Sequence, residues 1–426
     1  MLPHMTVSLA WNSWRSPKLS ADELQDLRDR KLRQLICHAF EQVPYYRTLL
    51  TSVGLSPEDV QATDDLNKIP VSTKEDLVTA GLGSRLAQST SRATCCLSHT
   101  SGSSGEPLST YLNEREQTIR RLLGLRRLVE ARFRPWDRLC FLCDPTQLSS
   151  RRFRTRVVPV GSPPEEQIGQ LQRIKPTVLK AWPSSLSVLM HHTRHQLGRF
   201  IQPRIVALSG EECSDELRGE IESDLKAEVF VFYGAGEFGP IASECRNHDG
   251  LHINADQLIV ECGIESRPNE PGDLVITSLF GLSMPFIRYR IGDTGILQEK
   301  ACPCGSRFPI LTSLQGRSSQ VIRLPEGRMA SVAAVVNTAL RPFPTLQKFR
   351  LIQESVGEFV LQTVFLEPPV EETLSHMKRR MSECLGSGVD LAVTVVDTID
   401  EGGVRKFGNF TSKLTTGPTL GPLNRN

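Results

Sequence analysis

Between residues 21 and 53, apolar side chains recur at helical spacing, at Leu24, Leu27, Leu32, Leu35, Ile36 and Phe40, before the chain enters Val43-Pro44-Tyr45-Tyr46. That period predicts an amphipathic helix, and the proline, lacking an N–H, predicts its end. Ser72-Thr73-Lys74-Glu75 opens a second helix with a good cap. Residues 114–131 predict a strongly basic helix with Leu122, Leu123 and Leu125 as its apolar side. A repeating strand–helix pattern follows. Arg138–Leu142, Val178–Trp182, Arg204–Leu208 and Glu228–Tyr233 read as strands. Helices are expected from a Ser184 cap to about Leu197, and from Ser214 to Leu225. Strands alternating with helices predict an α/β fold with a mainly parallel sheet covered on both faces, and ligands at the carboxyl ends of its strands.

The pattern changes near residue 250. Leu258–Glu261, Asp273–Thr277 and Phe286–Arg290 predict successive antiparallel strands, a small β subdomain. Beyond Gly316-Arg317 a small α+β unit is expected, with strands at 349–352, 359–364 and 391–396 and a helix near Glu371–Leu385. The expected domains are therefore 1–316, with parallel sheets flanked by helices plus the β subdomain, and 317–414. The Gly-, Pro-, Thr- and Asn-rich residues 415–426 are expected to be disordered.

Composition narrows the function classes. The chain has 426 residues, and its 50 Lys and Arg against 48 Asp and Glu leave a net charge of +2. That balance gives no reason to expect nucleic acid or an anionic membrane as partner. No apolar run approaches the roughly 20 residues of a membrane span, and no basic-then-apolar leader opens the chain, so a cytoplasmic enzyme is expected. The 11 cysteines are scattered, and most, such as Cys37, Cys140, Cys262 and Cys384, read as buried free thiols.

Four segments carry candidate chemistry. Thr100-Ser101-Gly102-Ser103-Ser104-Gly105-Glu106-Pro107 packs hydroxyls and glycines into one loop, suited to turning N–H and O–H donors toward phosphate, or else an ordinary Ser/Gly surface turn. It is not a Walker A loop, because only two residues separate its glycines. Gly210-Glu211-Glu212 and Tyr233-Gly234-Ala235-Gly236-Glu237 follow strands, where an aromatic ring can stack on a base and a carboxylate can hold Mg²⁺. Arg288-Tyr289-Arg290-Ile291-Gly292-Asp293 ends a strand in an acidic turn that can accept ribose hydroxyls. Each alone is equally a β-turn with an exposed carboxylate. Cys302 and Cys304 offer two metal ligands, too few to complete a tetrahedral site by themselves. The arginines of 115–138 and 151–156 suit either a solvated face or the phosphates of CoA.

Taken in order, these segments resemble the adenylate-forming ligases, and more closely the phenylacetate–CoA ligase family with its coenzyme F390 synthetase-like relatives. The resemblance covers nearly the whole chain, from Val43-Pro44-Tyr45-Tyr46 and Lys68–Lys74 to a dense block between Tyr233 and Arg317. It implies that Thr100, Ser101, Gly102, Ser103, Ser104 and Gly105 hold ATP phosphates. Gly210, Glu211 and Glu212 would border adenine, with Tyr233 and Gly234 against it. Glu237 would bind Mg²⁺, Asp293 the ribose, and Arg317 the nucleotide near a hinge to the mobile C-terminal domain. The catalytic lysine is expected at Lys406 in Gly402-Gly403-Val404-Arg405-Lys406, with Lys413 as the runner-up. Cys245, His252, Cys302 and Cys304 would hold a structural Zn²⁺, with His248 as an alternative ligand. The implied reaction joins a carboxylic acid, preferably aromatic, to CoA through an acyl-adenylate. A carrier-protein thiol or an amine as acceptor, a noncatalytic nucleotide-binding relative and a zinc hydrolase are the rivals, and a homodimer is compatible with the family. The chain departs from the family pattern at Glu106, at Gly236, and at Ser319 and Gln320 in the hinge. Acid-pocket walls are expected from Trp182–Leu186, Leu208–Glu211 and Phe232–Gly236.

Overall fold

The computed structural model describes residues 14–99, 108–143, 156–263, 271–298, 300–315, 321–340, 343, 345–399 and 410–414. Helix α1 (Ala21–Gln42) starts at a reciprocal cap: Glu23 N–H donates to Ser20 Oγ at 3.1 Å, and Ser20 N–H donates to the Glu23 carboxylate at 2.8 Å. Its buried stripe is Leu24, Leu32, Leu35, Ile36 and Ala39. Pro44 ends it as expected, and also opens a new helix, α2 (Pro44–Ser52), at the first position, where no N–H is needed. Thr73 caps α3 (Lys74–Ala80) and accepts from Asp76 N–H; α4 (Leu82–Arg85) follows.

Strands β1 (Cys96–His99) and β2 (Ser109–Leu112) pair antiparallel, with His99 opposite Ser109, on either side of the Thr100–Pro107 segment, which lies outside the described residues. Helix α5 (Glu114–Glu130) is capped by Asn113. Its inward face is Ile119, Leu123 and the arginine Arg126, whereas Leu125 is 39% exposed, so the apolar side differs from the one expected.

The frame of the molecule is one 11-stranded sheet. Its parallel part is β4 (Arg156–Pro159), β3 (Leu139–Cys143), β5 (Val178–Ala181), β6 (Ile205–Ser209) and β7 (Glu228–Ala235), in that order across the sheet. Helices α6 (Pro164–Ile174), α7 (Pro183–His192) and α8 (Asp215–Leu225) connect them. Helix α7 differs from expectation at both ends. Pro183, not Ser184, opens it, since a proline fits the first turn; Ser184 lies within that turn, and the helix stops at His192. One sheet face is sealed by Leu179, Ala181, Val206, Leu208 and Val229 with the helices, the other by Val178, Ile205, Ala207, Phe230 and Phe232 near α5.

The antiparallel strands expected after residue 250 do form, but they extend this sheet instead of building a second one. The expected ones are β10 (Leu258–Cys262), β11 (Gly272–Ser278) and, from residue 289, β12 (Tyr289–Gln298); β8 (Gly239–Glu244), β9 (Leu251–Ile253) and β13 (Ile310–Gln315), which the sequence pattern does not single out, pair into the same sheet, which runs β7-β8-β9-β13-β12-β11-β10. Residues 286–288 precede β12, because Ser278 N–H bonds Phe286 and Arg288 takes φ 46°. The remaining chain gives a hairpin, β14 (Val321–Arg323) with β15 (Met329–Ser331), then α9 (Val332–Ala339), β16 (Leu346–Gln353), β17 (Glu358–Phe365), α10 (Glu371–Leu385), β18 (Asp390–Val395) and β19 (Phe410–Ser412). Its four-stranded sheet, ordered β18-β17-β16-β19, has a core of its own, from Ile322 to Phe410.

Candidate functional site

A cavity of about 1100 Å³ opens at the carboxyl ends of β3, β5, β6 and β7 and is closed on one side by β12 and β13. It gathers residues from widely separated segments, among them Gly210, Glu211 and Glu212; Tyr233, Gly234, Gly236 and Glu237; and Asp293. Seven of the residues named from the sequence therefore share one surface with Gly236. Of the expected walls, Trp182, Ser209–Glu211 and Phe232–Gly236 line the cavity, while Pro183–Leu186 and Leu208 are not among the lining residues.

The turn after β6 is built for close approach. Gly210 has φ +90°, and a Cβ there would lie 2.9 Å from Trp182 Nε1, so only glycine fits. Glu211 then reaches the first turn of α7, accepting from Ser184 N–H at 2.9 Å and Ser184 Oγ–H at 2.8 Å. A carboxylate at a helix N-terminus is favoured by the unpaired N–H groups there. The end of β7 is equally constrained. A Cβ at Gly234 would lie 2.6 Å from Gly239 O.

Two phenol–carboxylate contacts join β7 to β12, which lie four places apart in the sheet, so the sheet must curl to bring them together. Tyr233 Oη donates to Asp293 Oδ2 at 2.7 Å, and Tyr289 Oη donates to Glu237 Oε1 at 3.3 Å. Burial, with the Glu237 charge adding to it, raises the Tyr289 phenol, which therefore stays a donor. Arg120 of α5 holds the turn from below: it donates to Gly236 O at 3.0 Å and to Glu237 O. Burial lowers its guanidinium to about 10, still charged at neutral pH.

Helix α5 is thus a solvated basic face only in part, at Arg115 and Arg121. Arg126 is buried against Asp256 and Asn254, Arg120 grips the Gly236 turn, and Arg127 lies over the Phe232 ring with its Cζ 4.9 Å from the centroid. The inward arginines at 120, 126 and 127 sit at helical spacing, a signal that their basic neighbours hide. Lys180, on β5, is another cavity residue that the sequence reading passed over. Burial, with Arg127 close by, lowers its ammonium to about 7.

The second cluster lies beside the cavity. Cys245 follows β8, His252 is on β9, and Cys302 and Cys304 occupy the turn before β13. Their ligand atoms all lie within 4.8 Å of one another, with Cys245 Sγ 3.7 Å from Cys302 Sγ and Cys304 Sγ 3.4 Å from His252 Nε2. Asn247 N–H and Ser306 N–H each donate to a sulfur two residues back, at 3.4 Å. His252 Nδ1 meets Phe308 O at 3.2 Å, which turns Nε2 toward the thiols, and burial lowers the ring's pKa, leaving it neutral. Burial pushes the Cys245 thiol up to about 12 and raises that of Cys304, so these two sulfurs become thiolates at neutral pH only beside a cation. Three thiols and one imidazole at this spacing fit a tetrahedral metal ion. His248, the alternative ligand, is occupied elsewhere, between Glu244, Glu228 and Arg218.

The loop 100–105, Arg317 and Lys406 lie outside the described residues, as do Glu106, Ser319 and Gln320. Lys413 is described. Its Nζ pairs with Glu354 at 2.7 Å, and it does not line the cavity. Among the described residues no helix is long and apolar enough to cross a membrane.

No family model matches the chain. The phenylacetate-coenzyme A ligase of Thermus thermophilus is 26% identical over 330 residues, 71% of this chain and 72% of that one. The enzyme of the same name from Escherichia coli is 27% identical over 294 residues, 64% and 67% of the two chains. Among solved structures, a 2-hydroxyisobutyryl-CoA ligase in complex with 2-HIB-AMP and CoA has a TM-score of 0.66 at 19% identity, covering 93% of this chain and 91% of that one. Its postadenylation state gives 0.63. The sequence is therefore similar to that of phenylacetate–CoA ligases, as the motifs implied, and the fold is that of an acid–CoA ligase.

Proposed function

We propose that this chain is an adenylate-forming ligase that activates a carboxylic acid with ATP and passes the acyl group to CoA. In the first step a carboxylate oxygen attacks the α-phosphorus, a P–O bond breaks, and pyrophosphate leaves. In the second the CoA thiolate attacks the acyl carbon and AMP leaves. The observation that carries this reading is the convergence of Gly210–Glu212, Tyr233, Glu237 and Asp293 on one cavity, with Tyr233 hydrogen-bonded to Asp293. The similarity to phenylacetate–CoA ligases supports it.

In this reading the Tyr233 ring packs on adenine between the Gly210 turn and β12, and Asp293, steadied by Tyr233, accepts from the ribose hydroxyls. Glu237 holds Mg²⁺, its carboxylate aimed by Tyr289 and its backbone by Arg120. The serines, threonine and glycines of 100–105 bind the phosphates. Arg317 marks the boundary between a domain of residues 1–316 and one of 317–414, and Lys406 supplies the positive charge for the adenylation transition state. Lys413, engaged with Glu354, is the weaker candidate. Cys245, His252, Cys302 and Cys304 hold a structural zinc whose closed four-ligand shell leaves no place for substrate, which argues against the zinc-hydrolase alternative. The aromatic walls Phe141, Trp182 and Phe232 favour an aromatic acid.

Acid-dependent exchange of labelled pyrophosphate into ATP tests the first step, and thioester formation on adding CoA tests the second. Exchange without CoA-dependent thioester would transfer the acceptor role to a carrier-protein thiol or an amine. ATP binding with no exchange for any acid would leave a noncatalytic nucleotide-binding protein.

A further inference from the structure

The acid pocket holds two cations that nothing in the described protein neutralises. Lys180 lies on an interior strand, in register with Phe141 of β3 and Ala207 of β6, so the three side chains share the sheet face toward α5. Its Nζ sits 5.3 Å from the Phe141 ring centroid. Arg127 reaches the same region from α5, over Phe232, and its Nε is buried without a hydrogen-bond partner. Among the described residues, neither side chain has an ion pair. The half-buried or buried carboxylates that line the cavity are engaged elsewhere: Glu211 with Ser184, Glu237 with Tyr289, Glu244 with Arg218 and Asp293 with Tyr233. The groups acting electrostatically on Lys180 are Arg127, which repels its charge, and the Cys143 thiol.

Burying an ammonium beside a guanidinium, with no carboxylate, is costly unless something negative enters with the ligand. In the proposed pose the adenine lies on Tyr233, away from Lys180. β5 lies two strands from β7, roughly 10 Å across the sheet from Tyr233. The surroundings, Phe141, Trp182 and Phe232, are apolar, as the frame of an organic acid requires. We propose that Lys180 and Arg127 are specificity-determining residues that select an acid carrying a second anionic group, a carboxylate remote from the one that is activated. This rests on the acid-activation reading above, and names its substrate class.

The test compares phenylacetate with 3- and 4-carboxyphenylacetate, and hexanoate with adipate, in the full chain and in Lys180→Met and Arg127→Met. Two readouts are taken: kcat/KM for pyrophosphate exchange, and binding in the absence of ATP, followed by calorimetry and by Trp182 fluorescence. Charge-assisted hydrogen bonds predict that at least one doubly anionic acid is preferred over its partner by about 10- to 100-fold, and that Lys180→Met abolishes or reverses the preference. A thermal midpoint in Lys180→Met no lower than that of wild type shows that the fold is intact, because methionine fills the same volume without the buried charge. Preference for the singly charged acid in every pair, or a preference unchanged in both variants, overturns the proposal while leaving adenylation standing. Tight binding of a dicarboxylate that Lys180→Met weakens tenfold, with no exchange for any acid, supports the anion site and sinks the adenylation reading. Absence of both binding and exchange sinks both.

Discussion

Replacing Cys302 with serine should remove one equivalent of zinc and unseat the turn that supports the nucleotide site. The magnitude follows from geometry. Zn–S bonds of about 2.3 Å at tetrahedral angles set sulfurs about 3.8 Å apart, and a Zn–N bond of about 2.0 Å sets nitrogen and sulfur about 3.5 Å apart. The corresponding separations here are 3.7 Å and 3.4 Å, so little rearrangement would be needed to close the shell. A metal present at about 1,000 times its dissociation constant stabilises the folded state by about 4 kcal/mol. Its loss should lower the thermal midpoint by roughly 6 °C for a unit of about 300 residues. The effect should also reach the site. Glu244, next to Cys245, accepts from Val231 N–H at 2.8 Å, two residues before Tyr233, so a displaced turn loosens the strand that carries that ring. The assay is atomic emission on purified protein with its thiols kept reduced, together with calorimetry. Substitution by Co²⁺ should give the visible bands of a tetrahedral thiolate site, and Cys302→Ser should abolish them. Protein purified with reduced thiols and less than about a tenth of an equivalent of metal, or a serine variant that keeps the full complement, would rule Cys302 out as a metal ligand.

Three further outcomes follow. Tyr233→Phe removes a hydrogen bond to a charged group, worth about 1.5–3 kcal/mol, and should raise the KM for ATP by roughly tenfold or more with little change in the KM for the acid; an unchanged KM for ATP would detach Asp293 from ribose binding. Lys406→Ala should abolish acid-dependent pyrophosphate exchange while Lys413→Ala should not, and the reverse result would transfer the catalytic role to Lys413. Without ligand, the Lys180 ammonium titrates at about 7 in the folded state against 10.5 for an ordinary lysine, so between these values the unfolded chain binds the extra proton and stability rises with pH. Urea unfolding should therefore show wild type gaining roughly 2 kcal/mol relative to Lys180→Met between pH 7 and pH 9; parallel curves for the two proteins would show that Lys180 is not desolvated.

Local signals were legible wherever a few neighbouring residues decide the outcome. The Thr73 cap of α3, the proline break at Val43-Pro44 and the apolar runs of β5, β6 and β7 each act over one turn or one strand. The order of Gly210–Glu212, Tyr233, Glu237 and Asp293 was also readable, because the family motif is linear. What the order does not contain is distance. That Tyr233 meets Asp293 depends on how far the sheet curls between β7 and β12, which is set by twist and packing along all the intervening strands. The extension of the sheet by β8–β13, in place of a separate β unit, is decided in the same way, by edge pairing between strands remote in sequence.

Side-chain direction was the other quantity the sequence left open. The run of arginines from 115 to 138 reads as one charged stretch, yet Arg120, Arg126 and Arg127 turn inward while Arg121 stays exposed. A helix assigns each residue to a face, but which face is covered depends on what packs there, and Phe232, Asp256 and the Gly236 turn all come from far along the chain. Likewise Lys180 reads as the polar interruption of an apolar strand. Only the assembled sheet shows it in register between Phe141 and Ala207, inside the cavity. By itself, then, the sequence carried most of the elements and the motif order, because those rest on local chemistry, and the family resemblance pointed to Cys245, His252, Cys302 and Cys304, which the fold brings within 4.8 Å of one another. The tertiary structure decided which charges are buried and which carboxylates are already taken, because desolvation and pairing belong to the assembled fold and not to any segment of it.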